Sequence, residues 1–460
     1  MYVASKNKTL SVFGLVMMNV IAIDSLRNLP SNAATGLYVL FFYLLVSLVF
    51  LIPCLLITAE LATNHPETGG AYIWVRDAFG PKYGFMTIWL QWIYNVVWYP
   101  TILSFIAVNI AYLINPALAD SKLFMLPVII GMFTLATLVN SFGMQLSSTL
   151  SNISALLGTI IPMLAIIVLG IFWMISHRTL AIEPTFHNLI PSTLSTGNLA
   201  FIVVIFFSVM GFEMSAVHAG DVKNPKRDYP KALLYSSLIV VLTMILASTA
   251  IAIVVPHTSL NIVSGMDQAF QLFLTAFHLA WLMPLVIILM IVGGFGGMAA
   301  WVLGPSKGLM VAAQDKCAPG FFGKANKKGA PIHMLWAQWL VVLILCTVFL
   351  CFDSFNTWYW MLSDLTAQLA LLFYILMFAA AIRLRYTTPK KPDAYRIPGG
   401  KFGIWFTGLT GIIACIGALL IGLIPPTQMH ITHVLGYEVF LIGGCFLLSF
   451  IPWVIYTKYA

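Results

Sequence analysis

The chain alternates long apolar segments with short polar connections along its whole length. Twelve segments of about 20 residues or more are rich in Leu, Ile, Val, Phe and Ala, so each could cross a bilayer as a helix. No connection is long enough to hold a soluble domain. We therefore predict a single all-α transmembrane domain over residues 1–460, with spans near 10–34, 37–62, 83–114, 122–142, 148–175, 198–221, 231–255, 279–312, 332–351, 357–383, 403–424 and 434–457.

Two of these spans are interrupted near their centres. The first carries Asp24 and Arg27 and is followed by Pro30, and the sixth carries Gly211 and Glu213 at a similar depth. An unwound turn frees backbone N–H and C=O groups, which cost several kcal/mol each in lipid unless they face a cavity or a ligand. Interrupted helices at matching positions of two repeats indicate the binding site of a secondary transporter.

The two breaks supply the first candidate substrate-binding residues. Helix N-termini present N–H groups to a carboxylate, and helix C-termini present carbonyl groups to an ammonium. We expect one half-helix to end near Ile23, the next to begin near Leu26, and the inner half of the sixth span to begin near Phe212. The candidates are Ile23, Asp24, Ser25, Leu26 and Arg27 at the first break, and Val209, Met210, Gly211, Phe212 and Glu213 at the second.

The composition excludes most other protein classes. Hydrophobic residues make up 60% of the chain and charged residues only 8%, against about 25% in an ordinary soluble domain. Soluble, disordered, fibrous and disulfide-rich secreted proteins are therefore excluded. The apolar segments are too long for the alternating strands of an outer-membrane barrel.

The net charge of +8 reflects topology and does not indicate nucleic-acid binding. With the N-terminus inside, 20 of the 23 Lys and Arg residues fall on the inner side, two on the outer side, and Arg27 within a span. The positive-inside rule then predicts that both termini lie in the cytoplasm. We expect the protein to be an integral protein of the inner membrane. The partners we expect are the lipid bilayer and a small amino acid or amine, and the oligomeric state stays open.

No motif indicates an enzyme, a metal site or a cofactor. The chain has no phosphate-binding loop, no HExxH sequence, and no nucleophile with a base at usable spacing. Its six cysteines show no CxxC or zinc spacing, and five of them lie in apolar spans, as small buried hydrophobic residues do.

Four segments resemble a known family. They are PETGGAYIWVRDAFGPKYGF at 66–85, GFEMSAVHAGDVKNPKRDYPKAL at 211–233, WVLGPSKGLMVAAQDKCAPGFFGKANKKGAPI at 301–332 and YRIPGG at 395–400. They resemble the amino acid–polyamine–organocation transporters, and within these the glutamate:GABA antiporters. The resemblance implies two inverted five-helix repeats (about 10–175 and 198–383), two further helices (about 403–457), alternating access, and exchange of one amino acid for another.

Three departures from the family pattern matter. Members of the family carry an acid four residues before the Trp of WxxGPS, where this chain has Gly297, which weakens a transfer of glutamate specificity. Close relatives carry a lysine in the fifth span, where this chain has Asn152. The glutamate:GABA antiporter closes its inner mouth with a long C-terminal tail, whereas this chain ends soon after its last predicted span, so we expect no such plug.

The ionisable residues within spans each have two interpretations. Such charges are costly in a bilayer and usually line a pathway or pair with one another. Asp24 and Arg27, three residues apart, either neutralise each other on a continuous helix or face the substrate across an unwound one. Glu213 either couples protonation to closure of the transporter or caps the start of the inner half-helix. Asp364 either lines the outer vestibule and binds substrate or reaches the membrane interface.

Aromatic residues and glycines in the neighbouring spans complete the candidates. Tyr94, Trp98 and Trp301 either gate the substrate and stack on its amine, or belong to packing and the interface belt. The eighth span has four glycines within five residues, 293–297, which favours close helix packing. Glu60, at an inner end, is expected to form an ion pair with Arg76, Lys223 or Arg227.

The leading hypothesis is a sodium-independent amino-acid antiporter. A cationic amino-acid or polyamine exchanger is the alternative, because three acids outnumber Arg27 within the spans, and a proton-coupled symporter is a further one. A channel would show polar rings or a filter loop, and a sensor would carry a soluble output domain. The chain shows neither feature.

Overall fold

The computed structural model describes most of the chain. The described residues are 11–66, 69–143, 153–154, 156–191, 196–222, 224–256, 259–351, 355–389, 391–392, 394–425 and 434–459. Within them the backbone forms helices and connections without a β-strand. The long helices expose many Leu, Ile and Phe side chains on their outer faces, which suits contact with lipid.

Helices run through the whole described chain in the order that the apolar pattern predicts. We number them α1 to α16: Val12–Ile23, Leu29–Ala33, Gly36–Asn64, Ala71–Phe79, Pro81–Ile114, Lys122–Ser141, Leu156–Ile175, Phe186–Leu189, Thr196–Ser208, Pro225–Val254, Gly265–Ala276, Ala280–Gln314, Ile332–Val348, Phe355–Thr387, Gly400–Gly422 and Val434–Tyr459. Two 3₁₀ helices matter for the site, Leu26–Asn28 between α1 and α2, and Phe212–Asp221 after α9.

The all-helical membrane fold is confirmed. Ten helical segments of the described chain are long and apolar enough to cross a membrane, and the bent pair α1 and α2 makes an eleventh. Helix α13, at the ninth predicted span, is apolar but has only 17 residues. The count of twelve spans, like the division into two inverted repeats, therefore stays a prediction.

Helix α5 lies at the centre of the bundle. It packs against α12 and α14 over most of its length, and against α4, α6 and α16 at its sides. Its side chains are mostly buried, whereas α16 exposes most of its surface. Residues that α5 turns toward α12 and α14 are therefore buried between these helices.

Candidate functional site

The first span is broken at the predicted position. Helix α1 ends at Ile23, Asp24 and Ser25 have extended backbone, and the following 3₁₀ helix begins at Leu26. The two pieces of the span meet at an angle of 41°. Pro30 lies in the first turn of α2, where its missing N–H breaks no helical hydrogen bond.

The sixth span is broken around a glycine that the backbone requires. Helix α9 ends at Ser208, Gly211 has φ +115°, and a 3₁₀ helix begins at Phe212. A side chain at this φ would be strained. A methyl group on Gly211 would also lie 3.1 Å from the Trp301 ring and 3.3 Å from Ile23, so the two breaks meet around these side chains.

Trp301 joins the breaks to the eighth span. Its indole N–H donates to the Ala22 carbonyl at 2.9 Å, which satisfies a backbone group next to the first break. Its ring lies edge-on to Trp98, with 6.4 Å between the ring centroids. The predicted pair of aromatic residues beside the breaks is thus in contact.

A cavity lies beside the first break, between the first span and helices α5, α7 and α12. Six of the predicted substrate-binding residues line it: Asp24, Ser25, Leu26, Arg27, Trp98 and Trp301. The lining residues that were not predicted are Ile21, Ala22, Ile102, Phe105, Thr159, Gly293, Gly294, Gly297 and Met298. The cavity is small, with a volume of about 30 Å³, which is room for about two water molecules. An amino acid therefore enters only when neighbouring groups move.

Asp24 presents a carboxylate oxygen without a partner. Its Oδ2 accepts a hydrogen bond from the Thr243 hydroxyl of α10 at 3.0 Å, while Oδ1 is buried and has no hydrogen-bond partner. The residue is 5% exposed. No ion pair within 4.0 Å joins Asp24 to Arg27 in the described chain. The extended backbone at positions 24 and 25 removes the helical geometry that would have paired them.

Arg27 is a buried cation whose hydrogen-bond partners are all neutral. One terminal nitrogen donates to Thr101 at 2.9 Å, and the other partners of the guanidinium include Tyr359 and Asn28. The guanidinium also lies over the Phe207 and Tyr359 rings, 5.6 and 5.5 Å from their centroids. Its Nε is buried without a partner. The positive charge is held by dipoles and ring faces, with no carboxylate beside it among the described residues.

Glu213 lies at the second break but does not line the cavity. It is in the first turn of the 3₁₀ helix, and its Oε2 accepts a hydrogen bond from the Tyr374 hydroxyl at 2.6 Å. The same hydroxyl accepts the Gly211 N–H at 2.8 Å, and Oε1 of Glu213 has no partner. The carboxyl group is thereby linked through Tyr374 of α14 to the backbone of the break.

The other predicted residues are buried outside the cavity lining. Asp364 accepts a hydrogen bond from Tyr437 of α16 and is 4% exposed, so it faces the bundle and not the membrane interface. Tyr94 is buried with its ring near Phe373. Roles of these residues in binding, like those of Ile23, Val209, Met210, Gly211, Phe212 and Glu213, stay predictions.

Sequence patterns missed part of the site and one buried acid elsewhere. The apolar wall and Thr159 lie in ordinary apolar stretches, so only three-dimensional packing reveals them. Asp267 in helix α11 is fully buried, neither of its carboxylate oxygens has a hydrogen-bond partner, and burial raises its pKa to about 8. Within the described chain no three His, Cys, Asp or Glu residues form a group able to hold a metal. Asn152 lies outside the described residues.

Comparison with known proteins gives a consistent result. The profile of a family described as amino acid permease matches residues 8–445. The chain is 50% identical to an uncharacterized transporter of Legionella pneumophila over 453 residues, covering 98% of this chain and 97% of that protein. It is 27% identical to a glutamate/gamma-aminobutyrate antiporter of Lactococcus lactis over 454 residues, with 98% and 90% covered. It is 24% identical to a probable agmatine/putrescine antiporter of that species over 392 residues, with 85% and 82% covered.

Proposed function

Because this chain belongs to the amino acid permease family, we propose that it exchanges one amino acid for another by alternating access. The substrate binds in the cavity beside the first helix break. The observation that carries this proposal is that Asp24 and Arg27, two buried charged residues that form no ion pair with each other, both line one small cavity. Charged groups in a membrane interior mark substrate pathways.

The two charged groups favour a zwitterionic substrate. Oδ1 of Asp24 is free to accept from an ammonium, and Arg27 can exchange one of its neutral partners for a carboxylate. A diamine has no group for Arg27, and an acidic amino acid brings a second negative charge toward Asp24. A neutral amino acid matches both groups at once. A neutral amino acid is similar in kind to the amino acids and amines in the names of the two antiporters. Asp24 and Arg27 would distinguish among such molecules by their charge.

The alternative, a cationic amino acid or polyamine, loses part of its support. It was based on an excess of acids within the spans, yet Glu213 and Asp364 do not line the cavity. Asp24 and Arg27 remain there as one negative and one positive group. A cationic amino acid such as arginine would still present the zwitterionic groups, so the test of charge preference must include it.

Exchange itself is tested by counterflow. The purified protein is reconstituted into liposomes that hold an unlabelled neutral amino acid, and uptake of the labelled amino acid is followed. We expect uptake several-fold faster than into empty liposomes. Equal uptake into loaded and empty liposomes, with or without a proton gradient, would contradict exchange, and uptake driven only by the proton gradient would favour a symporter.

Transport is expected to be independent of sodium. A hard cation needs several oxygen ligands, and residues 293–301 of α12, which face the first break, contain no Ser or Thr to supply side-chain oxygens. Replacing sodium with choline at constant pH should leave the exchange rate unchanged. Loss of exchange in choline would show that the site holds a sodium ion.

The pH dependence of transport is expected to depend on Glu213. Its carboxyl group is bonded through Tyr374 to the backbone of the second break, so gain or loss of its proton alters the hydrogen bonds that hold the break. Glu213→Gln keeps the shape of the side chain but cannot titrate, and should flatten the pH profile of exchange. Asp120→Asn, which removes an exposed carboxyl group with no proposed role, is the control and should keep the profile. An unchanged profile in Glu213→Gln would exclude this role.

We place the protein in the inner membrane with both termini in the cytoplasm. The support for this orientation is the distribution of Lys and Arg, 20 on one side and two on the other.

A further inference from the structure

A proline inside helix α12 leaves the backbone carbonyl of Trp301 without its helical donor. In an α-helix the N–H of each residue donates to the carbonyl four residues earlier, and proline has no N–H. Pro305 lies within α12, so the Trp301 carbonyl cannot receive the bond that position 305 would otherwise give. Trp301 is buried, and a buried carbonyl that lacks a hydrogen bond is costly.

Tyr99 of α5 supplies a donor to this carbonyl. Its hydroxyl donates to the Trp301 carbonyl oxygen at 3.1 Å. The Tyr99 side chain is 1% exposed, and its ring contacts Phe133 of α6 and Trp98, with 5.1 and 5.7 Å between the ring centroids. Burial and these ring contacts restrict the rotamers open to Tyr99, so its hydroxyl is held at the carbonyl.

Helix α16 shows the same pattern at a distance from the cavity. Pro452 lies inside α16 and frees the Leu448 carbonyl, and the indole N–H of Trp89 in α5 donates to that carbonyl at 2.9 Å. Side chains of α5 thus satisfy a proline-freed carbonyl in each of two helices packed against it. Trp89 and Leu448 are not among the residues that line the cavity, so this second bond can serve as a comparison for the first.

The bond from Tyr99 differs because Trp301 lies where the two helix breaks meet. The Trp301 indole donates to Ala22 in the last turn of α1, and its ring lies against Gly211 at the second break. Trp301 also lines the cavity, together with Trp98. A shift of the Trp301 backbone would therefore move its ring relative to both breaks and to the cavity.

We propose that Tyr99 is a positioning residue for substrate binding: its hydroxyl takes the place of the helical hydrogen bond that Pro305 cannot make, and so fixes Trp301 in the cavity wall. The inference rests on the proposed function, since it takes the cavity to be the substrate site. Without the hydroxyl, α12 can relax around the freed carbonyl, and Trp301 must then be ordered when the substrate binds. Ordering one side chain lowers affinity by a factor of about five.

A double-mutant cycle in substrate affinity tests this role. The wild type, Tyr99→Phe, Pro305→Ala and the double variant are purified as full-length proteins and titrated by calorimetry with glycine, alanine, leucine and phenylalanine. For the amino acid that the wild type binds most tightly, Tyr99→Phe should weaken binding about fivefold or more. Pro305→Ala restores a helical N–H for the carbonyl, so adding Tyr99→Phe to it should weaken binding less than about twofold.

Trp89→Phe is the matched control, because it removes the donor to the other proline-freed carbonyl. It should lower the midpoint of thermal unfolding, as Tyr99→Phe does, but bind within about twofold of the wild type. Equal weakening of binding by the two variants would indicate general loosening of the bundle and would overturn the positioning role. So would a Tyr99→Phe protein that binds like the wild type, or one that loses the same factor with and without Pro305→Ala.

Failure of Tyr99→Phe to fold would leave the decision to the double variant. A double variant that folds and binds like Pro305→Ala would support the role of the hydroxyl, because the restored N–H then replaces it. A double variant that also fails to fold would show that Tyr99 serves folding alone, and would overturn the proposal.

The outcome separates the positioning role from the proposed function. The expected pattern of affinities without counterflow would overturn exchange and leave the positioning role standing. Counterflow together with normal binding by Tyr99→Phe would overturn the positioning role alone. Absence of binding of all four amino acids by the wild type would overturn both.

Discussion

Replacing Asp24 with asparagine is expected to weaken binding of the preferred substrate by more than tenfold, about 1.4 kcal/mol or more. The substitution keeps the shape of the side chain. The amide oxygen of asparagine can still accept the hydrogen bond that the Thr243 hydroxyl donates to Oδ2 of Asp24. It removes the negative charge next to the unpartnered Oδ1, where the ammonium group is proposed to lie. Binding of the labelled substrate to purified protein, measured by calorimetry or scintillation proximity, gives the affinity directly.

Two further variants make this result specific. Asp120→Asn makes the same chemical change at an exposed acid outside the cavity and should bind normally. Arg27→Ala should also weaken binding, since it removes the group proposed for the carboxylate. Should Asp24→Asn bind normally while Arg27→Ala loses all binding, the roles are exchanged and an acidic substrate becomes the better hypothesis.

Breaking the buried ion pair between Glu60 and Arg385 is expected to destabilise the protein by roughly 3–5 kcal/mol. Nη2 of Arg385 lies 2.5 Å from Oε2 of Glu60, and both side chains are less than 8% exposed. The same oxygen also accepts the Ile397 N–H at 2.7 Å, so Glu60 holds α3, α14 and the segment before α15 together. Arg385→Met would leave a buried carboxylate with a single backbone donor. Thermal unfolding in detergent should show a clearly lower midpoint.

An exposed ion pair on the same side supplies the control. Arg76 and Asp315 are 3.1 Å apart, but their side chains are 31% and 40% exposed. Such pairs contribute about 0–1 kcal/mol, so Asp315→Asn should melt close to the wild type. The double variant Glu60→Gln with Arg385→Met should recover part of the loss, because it leaves no buried charge unpaired. A wild-type midpoint for Arg385→Met would show that the pair contributes nothing.

Local features of the chain were predictable because they depend on residues that are neighbours in the sequence. Apolar length set the helices to within a few residues, with α1 ending at Ile23 and the 3₁₀ helices beginning at Leu26 and Phe212 as expected. The breaks were visible because charges and a glycine interrupt otherwise uniform apolar runs. The cost of bare backbone in lipid makes such interruptions informative.

The ion-pair and hydrogen-bond partners of the buried charged side chains were not predictable, because they depend on which helices pack against each other. The prediction that Glu60 pairs with Arg76, Lys223 or Arg227 was wrong, because it pairs with Arg385, 325 residues away. Asp24 and Arg27 are close enough in sequence to pair on a helix, yet the break turns them to different partners, Thr243 and Thr101. Spacing along a chain fixes neighbours only where the backbone stays regular.

The glycines of α12 show the same limit at a single helix. Their clustering indicates close packing, and Gly293 and Gly296 fit that interpretation. Gly297 instead borders the cavity, and a Cβ added there would meet no heavy atom within 4 Å, whereas Gly293 both packs on α7 and lines the cavity. Which of these positions pack and which line a cavity depends on where α5 and α7 lie, and the sequence of α12 alone does not show this.

Competition in counterflow tests the central claim, that a zwitterionic amino acid binds between Asp24 and Arg27 and is exchanged. Proteoliposomes loaded with an unlabelled neutral amino acid take up its labelled form while leucine, glutamate, arginine or putrescine competes outside. We expect rapid exchange that leucine inhibits at least tenfold more effectively than glutamate or putrescine. Exchange that glutamate or putrescine inhibits best, with leucine without effect, would contradict it.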